Sequence, residues 1–383
     1  MQSNRINRLI IRLIDNTITD EESMVLTEWL KEAKNQDYFN KFIAANQLIS
    51  ERKKFEPKKS YLELLFKKTP RRRKTKTFYF AAAAILILVL TFYWFQPAPQ
   101  VIHETTNNTP LIVNNQIQTG SNKAILTLSN GTKIILGKKT NYRTPFVKTD
   151  SASISYAAND KVTSNHTTYN TLTIPRGGQF TIELSDGSTV WLNSESEIRF
   201  PVSFQKGKLR NVELMYGEAY FSVSPSTKNG GSKFMVHQGK QTIEVLGTQF
   251  NVKAYKGDKS IITTLVEGKI AIHYNTNEKI MMPNEQAISD IQKGSLKIKN
   301  IDVKPEVSWK EGEFSFKEES LKNIMQVLSR WYDMEVVFEN KSLEEVKFKG
   351  VLRKNLKIEE IMSIMMTTSI NNYEINNHKI ILK

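Results

Sequence analysis

Residues 77–95, Thr77 to Phe95 (TFYFAAAAILILVLTFYWF), carry no charged side chain over 19 positions and begin directly after the basic run Arg71, Arg72, Arg73, Lys74 and Lys76. At about 1.5 Å of rise per residue the stretch makes roughly 28 Å of helix, close to the thickness of a bilayer's hydrocarbon core. The sequence therefore predicts one transmembrane helix. A buried helix of a water-soluble domain rarely stays apolar on every face for so long, and a secretory signal core is shorter and sits nearer the N-terminus. Positive charge on the N-terminal flank alone predicts that residues 1–76 face the cytoplasm and 97–383 the outside, with Phe92, Tyr93 and Trp94 as an aromatic belt at the outer interface.

The formal net charge is +15, and residues 1–76, with 18 Lys or Arg against 10 Asp or Glu, hold about half of that excess. These basic residues crowd toward the uncharged stretch without aromatic interleaving, which suits acidic lipid headgroups better than nucleic acid. The chain has no cysteine. An outer part of nearly 290 residues built without disulfides points to a bacterial envelope.

Helical spacing places a small all-α bundle over residues 1–70. Ile6, Leu9, Ile10, Leu13 and Ile14 line a first helix, and Thr19 with Glu22 forms a capping box ahead of Met24, Leu26, Trp29 and Leu30. Asp37 caps a third, through Tyr38, Phe39 and Phe42. So small a bundle cannot bury every apolar face, which leaves room for a partner. Residue by residue, a place in the bundle core explains Trp29 and the leucines better than a contact with a partner does.

Residues 96–115 are rich in Pro, Asn and Thr and read as a tether. An all-β domain follows over 116–300. Its clearest signals are two hairpins, LTLSNGTKIIL at 126–136 and IELSDGSTVWL at 182–192, turning at Asn130-Gly131 and Asp186-Gly187. Read as an internal repeat, they predict an elongated, solenoid-like stack. Over 307–383 the period changes to a C-terminal α+β domain, βαβ then βαββ, with helices over Leu321–Trp331 and around Ile358–Met365.

Catalytic constellations are not visible. His103, His166, His237, His273 and His378 lack metal-ligand spacing, so neither metal nor cofactor is expected, and no turnover enzyme. Arg176-Gly177-Gly178 reads as a tight turn and not a phosphate loop, lacking the Lys-Ser/Thr pair and the helix after it. Gly247-Thr248 stands between two strand-like stretches. A Thr hydroxyl there can attack the preceding Gly carbonyl if the backbone is strained, although on chemistry alone the pair is a bend.

Several motifs in order carry a resemblance. They are Asp20-Glu21-Glu22 with Leu26, Trp29 and Leu30, then Pro175-Arg176-Gly177-Gly178, then Leu184 to Asn193, then Gly217-Glu218-Ala219-Tyr220-Phe221. Val245-Leu246-Gly247-Thr248, Thr264 to Gly268, Trp309, Gly312, Phe314, Phe316 and Arg330-Trp331-Tyr332-Asp333 follow. Nearly the whole chain thus resembles the FecR-type transmembrane anti-sigma factors. Ser185 and the Pro283-Asn284-Glu285-Gln286 turn depart from the commoner pattern.

The resemblance implies that the N-terminal helices hold an extracytoplasmic-function sigma factor, with Leu26, Trp29, Leu30, Phe39 and Phe42 as candidate contacts. It implies that the C-terminal domain, similar to the secretin and TonB short N-terminal domain, reads the signalling domain of a TonB-dependent outer-membrane transporter, with Phe314, Phe316, Trp331 and Tyr332 as candidates. It makes Gly247-Thr248 a candidate for single-turnover self-cleavage, followed by envelope proteases that free the sigma factor. The expected fold is therefore a multidomain membrane protein: an all-α cytoplasmic bundle, one transmembrane helix, a solenoid-like all-β domain and a C-terminal α+β domain. The rival expectation is a membrane-anchored envelope protein whose β domain binds glycan or peptidoglycan, with Trp191, Trp309 and Trp331 stacking on sugars.

Overall fold

A computed structural model describes residues 6–7, 9–10, 12–13, 18–32, 35–36, 38–39, 110–138, 142–157, 167–205, 207–366, 370 and 372–383. The chain divides into two compact units, Met1–Thr109 and Pro110–Lys383. In the first, the helix Asp20–Trp29 starts at a closed capping box: the Thr19 hydroxyl accepts from the Glu22 backbone N–H at 3.3 Å, and the Glu22 carboxylate accepts from the Thr19 N–H at 3.2 Å. Leu26 and Leu30 are buried against Ile6, Leu9 and Ile10, and Trp29 meets Tyr38 edge to face at 6.0 Å.

In the second unit eighteen strands between Ser121 and Asn300 form one connected system of two packed sheets. One sheet runs through Lys133–Gly137, Ser121–Thr127, Tyr169–Ile174, Ser196–Pro201, the first half of Arg210–Ser222, Phe234–Gln238, Gln241–Val245, Ile270–Tyr274 and Asn277–Met281. The other runs through Arg143–Thr144, Val147–Thr149, Ser153–Tyr156, Gly178–Glu183, Thr189–Leu192, the second half of Arg210–Ser222, Gln249–Ala254, Ser260–Glu267, Glu285–Asp290 and Leu296–Asn300. Period-2 patterning makes the core: Leu172 and Ile174, Val190 and Leu192, Ile243 and Val245, Ile270 and Ile272 are buried while their strand neighbours are half exposed. All belong to one apolar cluster, and each such side chain contributes about 1.5–3 kcal/mol relative to exposure.

The long strand Arg210–Ser222 joins the sheets, and it changes sheet at Gly217. There φ is +98°, and a Cβ would stand 2.2 Å from the Ser196 hydroxyl and 2.4 Å from the Ser196 Cα, so only glycine fits the corner. A buried ion pair fixes the start of the same strand. Arg210 donates to Asp186 at 2.6 Å and to the Ser224 and Ser232 carbonyls at 2.9 Å each, tying the Asp186-Gly187 turn down.

The C-terminal domain places its strands in two sheets around one core. Glu313–Ser320 pairs with Lys347–Arg353, while Glu335–Phe338, Lys379–Leu382, Tyr373–Asn376 and Leu111–Val113 form a four-stranded sheet. The helices Leu321–Tyr332 and Ile358–Met366 share their apolar faces with both.

Of three parts of the expected fold class two are corrected, and the other, the transmembrane helix, lies outside the described residues. First, an all-α bundle is not present among the described residues: they are mostly β, hold four α-helices, and give the N-terminal unit one complete helix. Second, among the described residues no helix is long and apolar enough to cross a membrane; residues 77–95, Phe42 and the basic run Arg71, Arg72, Arg73, Lys74 and Lys76 lie outside them. Third, the β domain is a barrel-like pair of packed sheets and not a solenoid of repeats. The two look-alike hairpins occupy non-equivalent places. Ser121–Thr127 with Lys133–Gly137 sits at the edge of one sheet, whereas Gly178–Glu183 with Thr189–Leu192 sits inside the other. A two-residue turn with glycine at positive φ is local chemistry that recurs in any β protein, so its recurrence says nothing about stacking. A smaller correction concerns 96–115, read as tether, since Leu111–Val113 is a strand of the C-terminal sheet.

Candidate functional site

The β sandwich and the C-terminal domain meet at a polar junction built from three places in the sequence. Arg176 leaves the strand Tyr169–Ile174 and reaches the end of the helix Leu321–Tyr332. It donates to the Ser329 carbonyl at 2.6 Å, the Met334 carbonyl at 2.9 Å and the Asp333 carboxylate at 3.1 Å. A guanidinium there adds a charged donor to carbonyls at the helix end and meets the negative end of the helix dipole. The Gly177 N–H donates to the Arg330 carbonyl at 2.7 Å, and Arg330 pairs with Glu195 at 3.3 Å while its guanidinium lies 3.7 Å from the Tyr255 ring centre. Gly120 packs so closely under the Trp331 ring that a Cβ would fall 2.5 Å from it.

Behind this clamp the buried carboxylate of Glu218 accepts from the Asn193 amide at 2.9 Å, the Asn251 amide at 2.9 Å and the Tyr255 hydroxyl at 3.3 Å. Burial, then the Glu218 charge, holds the Tyr255 hydroxyl well above its ordinary pKa, so it stays a donor. Asn251 in turn accepts from the Trp309 indole at 3.4 Å.

Lys354 completes the junction. Its ammonium lies 3.8 Å from the Trp331 ring centre, 5.7 Å from Phe314 and 5.8 Å from Trp309, and donates to the Gln179 side chain of the β sandwich at 2.8 Å. Burial pushes its pKa down to about 7, with Glu218 pulling the other way. Cation–π contact and one neutral acceptor offset only part of the lost hydration.

Beside the junction opens a cleft of about 670 Å³ between the second sheet, the connector 301–309 and the C-terminal domain. Five consecutive residues, Glu313 to Lys317, line it, which a strand edge can do and a strand face cannot. Glu306 lies in its wall, its carboxyl raised above the usual range by burial, with Lys253 opposing.

The structure distributes the residues singled out by sequence unevenly. Leu26 and Leu30 are core, Trp29 and Phe39 are half-buried against that core, and the outward aliphatics on the same helix are Met24 and Val25. Phe314 and Phe316 stack at 6.4 Å and line the cleft. Trp331 and Tyr332 are buried: the indole donates to the Lys354 carbonyl at 2.9 Å and the phenol to the Leu356 carbonyl at 2.6 Å. Lys354, Glu306 and Gln179 have no sequence signal, because a lone Lys, Glu or Gln reads as solvated. Arg176 had one, in its motif, but as a turn residue.

Gly247 and Thr248 lie where the chain crosses from Gln241–Val245 to Gln249–Ala254. Gly247 has φ +155°, an angle side-chain-bearing residues rarely take, and a Cβ on it would press on Pro225 at 3.0 Å. Thr248 is buried and its hydroxyl donates to the Lys269 carbonyl at 3.1 Å. Gly268 packs against the pair so tightly that its own Cβ would lie 2.8 Å from the Thr248 hydroxyl.

Buried polar contacts thus lock the β sandwich to a small α/β domain, with a cleft shared between them. Residues 170–271 match the family described as FecR protein, and residues 313–382 match the one described as FecR, C-terminal. Over these two stretches the chain carries the FecR domain and the FecR C-terminal domain. Two crystal structures of a candidate anti-sigma factor from Parabacteroides distasonis ATCC 8503 are similar to it, each at 27% identity over 56% of this chain and 98% of that one, with a TM-score of 0.49. No curated protein matches the chain.

Proposed function

We propose that this chain is a FecR-family anti-sigma factor: its N-terminal segment binds an extracytoplasmic-function sigma factor, and residues beyond 97 receive a signal from outside the cytoplasm. The observation that carries the reading is the family match over both 170–271 and 313–382. The location proposed is the inner membrane, N-terminus in the cytoplasm and C-terminus in the periplasm, on the strength of the uncharged stretch 77–95 and its basic flank. The proposed signal is the signalling domain of a ligand-loaded TonB-dependent transporter, received at the cleft where Phe314 and Phe316 lie. Release is proposed to be proteolytic, starting at Gly247-Thr248. The Thr248 oxygen attacks the Gly247 carbonyl carbon, the hydroxyl proton passes to the Thr248 nitrogen as the peptide C–N bond breaks, and water then splits the resulting ester into the Gly247 carboxylate and the Thr248 hydroxyl.

The glycan-binding alternative loses two of its three tryptophans, and the remaining one, Trp191, is half-buried and packs edge to face on Tyr220 at 5.7 Å. Trp309 and Trp331 are buried at the junction.

Purification of the tagged full-length chain tests the reading, with a chain lacking residues 1–70 as control. The full chain is expected to bring down a sigma factor that the shortened chain does not. If neither does, or if sigma-dependent transcription rises while the full-length chain persists unchanged, binding or proteolytic release respectively is wrong.

A further inference from the structure

The C-terminal sheet borrows its edge strand from the other end of the unit. Leu111, Ile112 and Val113 pair in parallel with Glu374, Ile375 and Asn376, although the whole β sandwich lies between the two segments in sequence. This pairing differs in kind from the others in the sheet. The strand is three residues long and lies at one edge, as Glu335–Phe338 does at the other, but unlike that strand it has every side chain exposed, at 54%, 47% and 44%. The strands it joins bury Tyr373, Ile375, Ile380 and Leu382. Burial therefore contributes little to holding residues 111–113, and backbone hydrogen bonds contribute only about 0.5–1.5 kcal/mol each.

The next residues show where detachment stops. The Asn377 N–H donates to the Val113 carbonyl at 3.3 Å and the Gln116 N–H to the Asn377 carbonyl at 3.2 Å, both long bonds. Asn114 sits at φ +49°, its amide reaching the Asn377 side chain at 3.1 Å, and the Asn115 amide contacts the Glu359 carboxylate. At Ile117 the chain enters the apolar core of the C-terminal domain, where burial takes over.

We propose that Leu111–Val113 is a detachable latch: an edge strand that opens and closes on Tyr373–Asn376 about a pivot at Asn114-Asn115, with Ile117 as the fixed end. Closed, it makes the last domain of the chain grip residues that precede the β sandwich, giving that domain a short connection to the N-terminal side that bypasses the sandwich. The proposal rests on geometry alone and stands apart from the anti-sigma reading.

Hydrogen exchange on the full-length chain tests it, together with the pair Val113→Cys and Asn376→Cys. These register partners sit on neighbouring strands, about 4.8 Å apart, within reach of a disulfide, and in a chain without cysteine they add the sole two thiols. Amides of 111–113 are expected to exchange at least about tenfold faster than those of Ile380–Leu382, and oxidation of the cysteine pair to slow them at least about tenfold, reversibly with reductant. Amides of Ile125 and Leu126 serve as an internal standard. Exchange at 111–113 as slow as at Ile380–Leu382 before cross-linking shows a fixed strand and overturns the latch. Failure of the two cysteines to cross-link in the folded chain overturns the pairing itself.

Discussion

The Arg176 guanidinium donates to the Met334 carbonyl at 2.9 Å across 158 residues of sequence, and with its bond to the Ser329 carbonyl it joins the β sandwich to the end of a helix in the C-terminal domain. Arg176→Ala takes the guanidinium donor from the Met334 carbonyl, a loss of about 1–3 kcal/mol where water does not replace it, while the Ser329 carbonyl keeps the Asp333 and Met334 N–H groups. Arg176→Lys is expected to recover less than half, since an ammonium cannot reproduce the planar fork. Thermal unfolding and limited proteolysis check this: the Ala variant should be cut between 300 and 313 under conditions that leave the parent intact.

Lys354 should make the junction sensitive to pH. Its folded pKa, about 7, lies below the ordinary lysine value, so the unfolded chain binds more protons between those two values and stability rises with pH across that window. Below about pH 7 both states are protonated and the cost of burying the charge is fully present. Lys354→Met is expected to flatten the slope and to stabilise the protein on the order of a few kcal/mol at pH 6. Denaturant midpoints from pH 6 to 10 measure it. An equal slope in parent and variant would assign the dependence elsewhere.

Gly217 tests the corner of the sandwich. With φ at +98° and Ser196 within 2.4 Å of a would-be Cβ, Gly217→Ala is strained in backbone and in packing. A loss of about 3 kcal/mol or more is expected. Gly131→Ala, at φ +84° in open space, should cost only about 1 kcal/mol.

Thr248 tests the proposed cleavage. Purified parent protein is expected to yield fragments 1–247 and 248–383, Thr248→Ala to stay whole, and Thr248→Ser to cleave. Mass spectrometry of the new termini decides. Fragments from Thr248→Ala at the same bond would mean an outside protease makes the cut.

Much of the local structure was legible in the sequence because its causes are local. The turns at Asn130-Gly131 and Asp186-Gly187, the Thr19–Glu22 capping box and the strand and helix order of 313–382 follow from side chains within a few residues of one another. The same locality misled when two similar hairpins suggested stacked repeats. The candidate contacts Trp331 and Tyr332 proved to be core for a related reason: an aromatic residue on a helix has the same spacing whether it faces a partner or its own domain.

By itself the sequence determined the hairpin turns, the capping box, the element order of 313–382 and the uncharged stretch that splits the charge distribution, since their causes are written along the chain. Only the tertiary structure decided that Arg176 caps a helix 153 residues away, that Lys354 is boxed by Trp331, Trp309 and Phe314, and that Leu111–Val113 belongs to the final sheet. Those outcomes depend on which surfaces exclude water from one another. Burial of a lysine or pairing of a distant strand is a property of the packed chain, and no window of neighbouring residues encodes it.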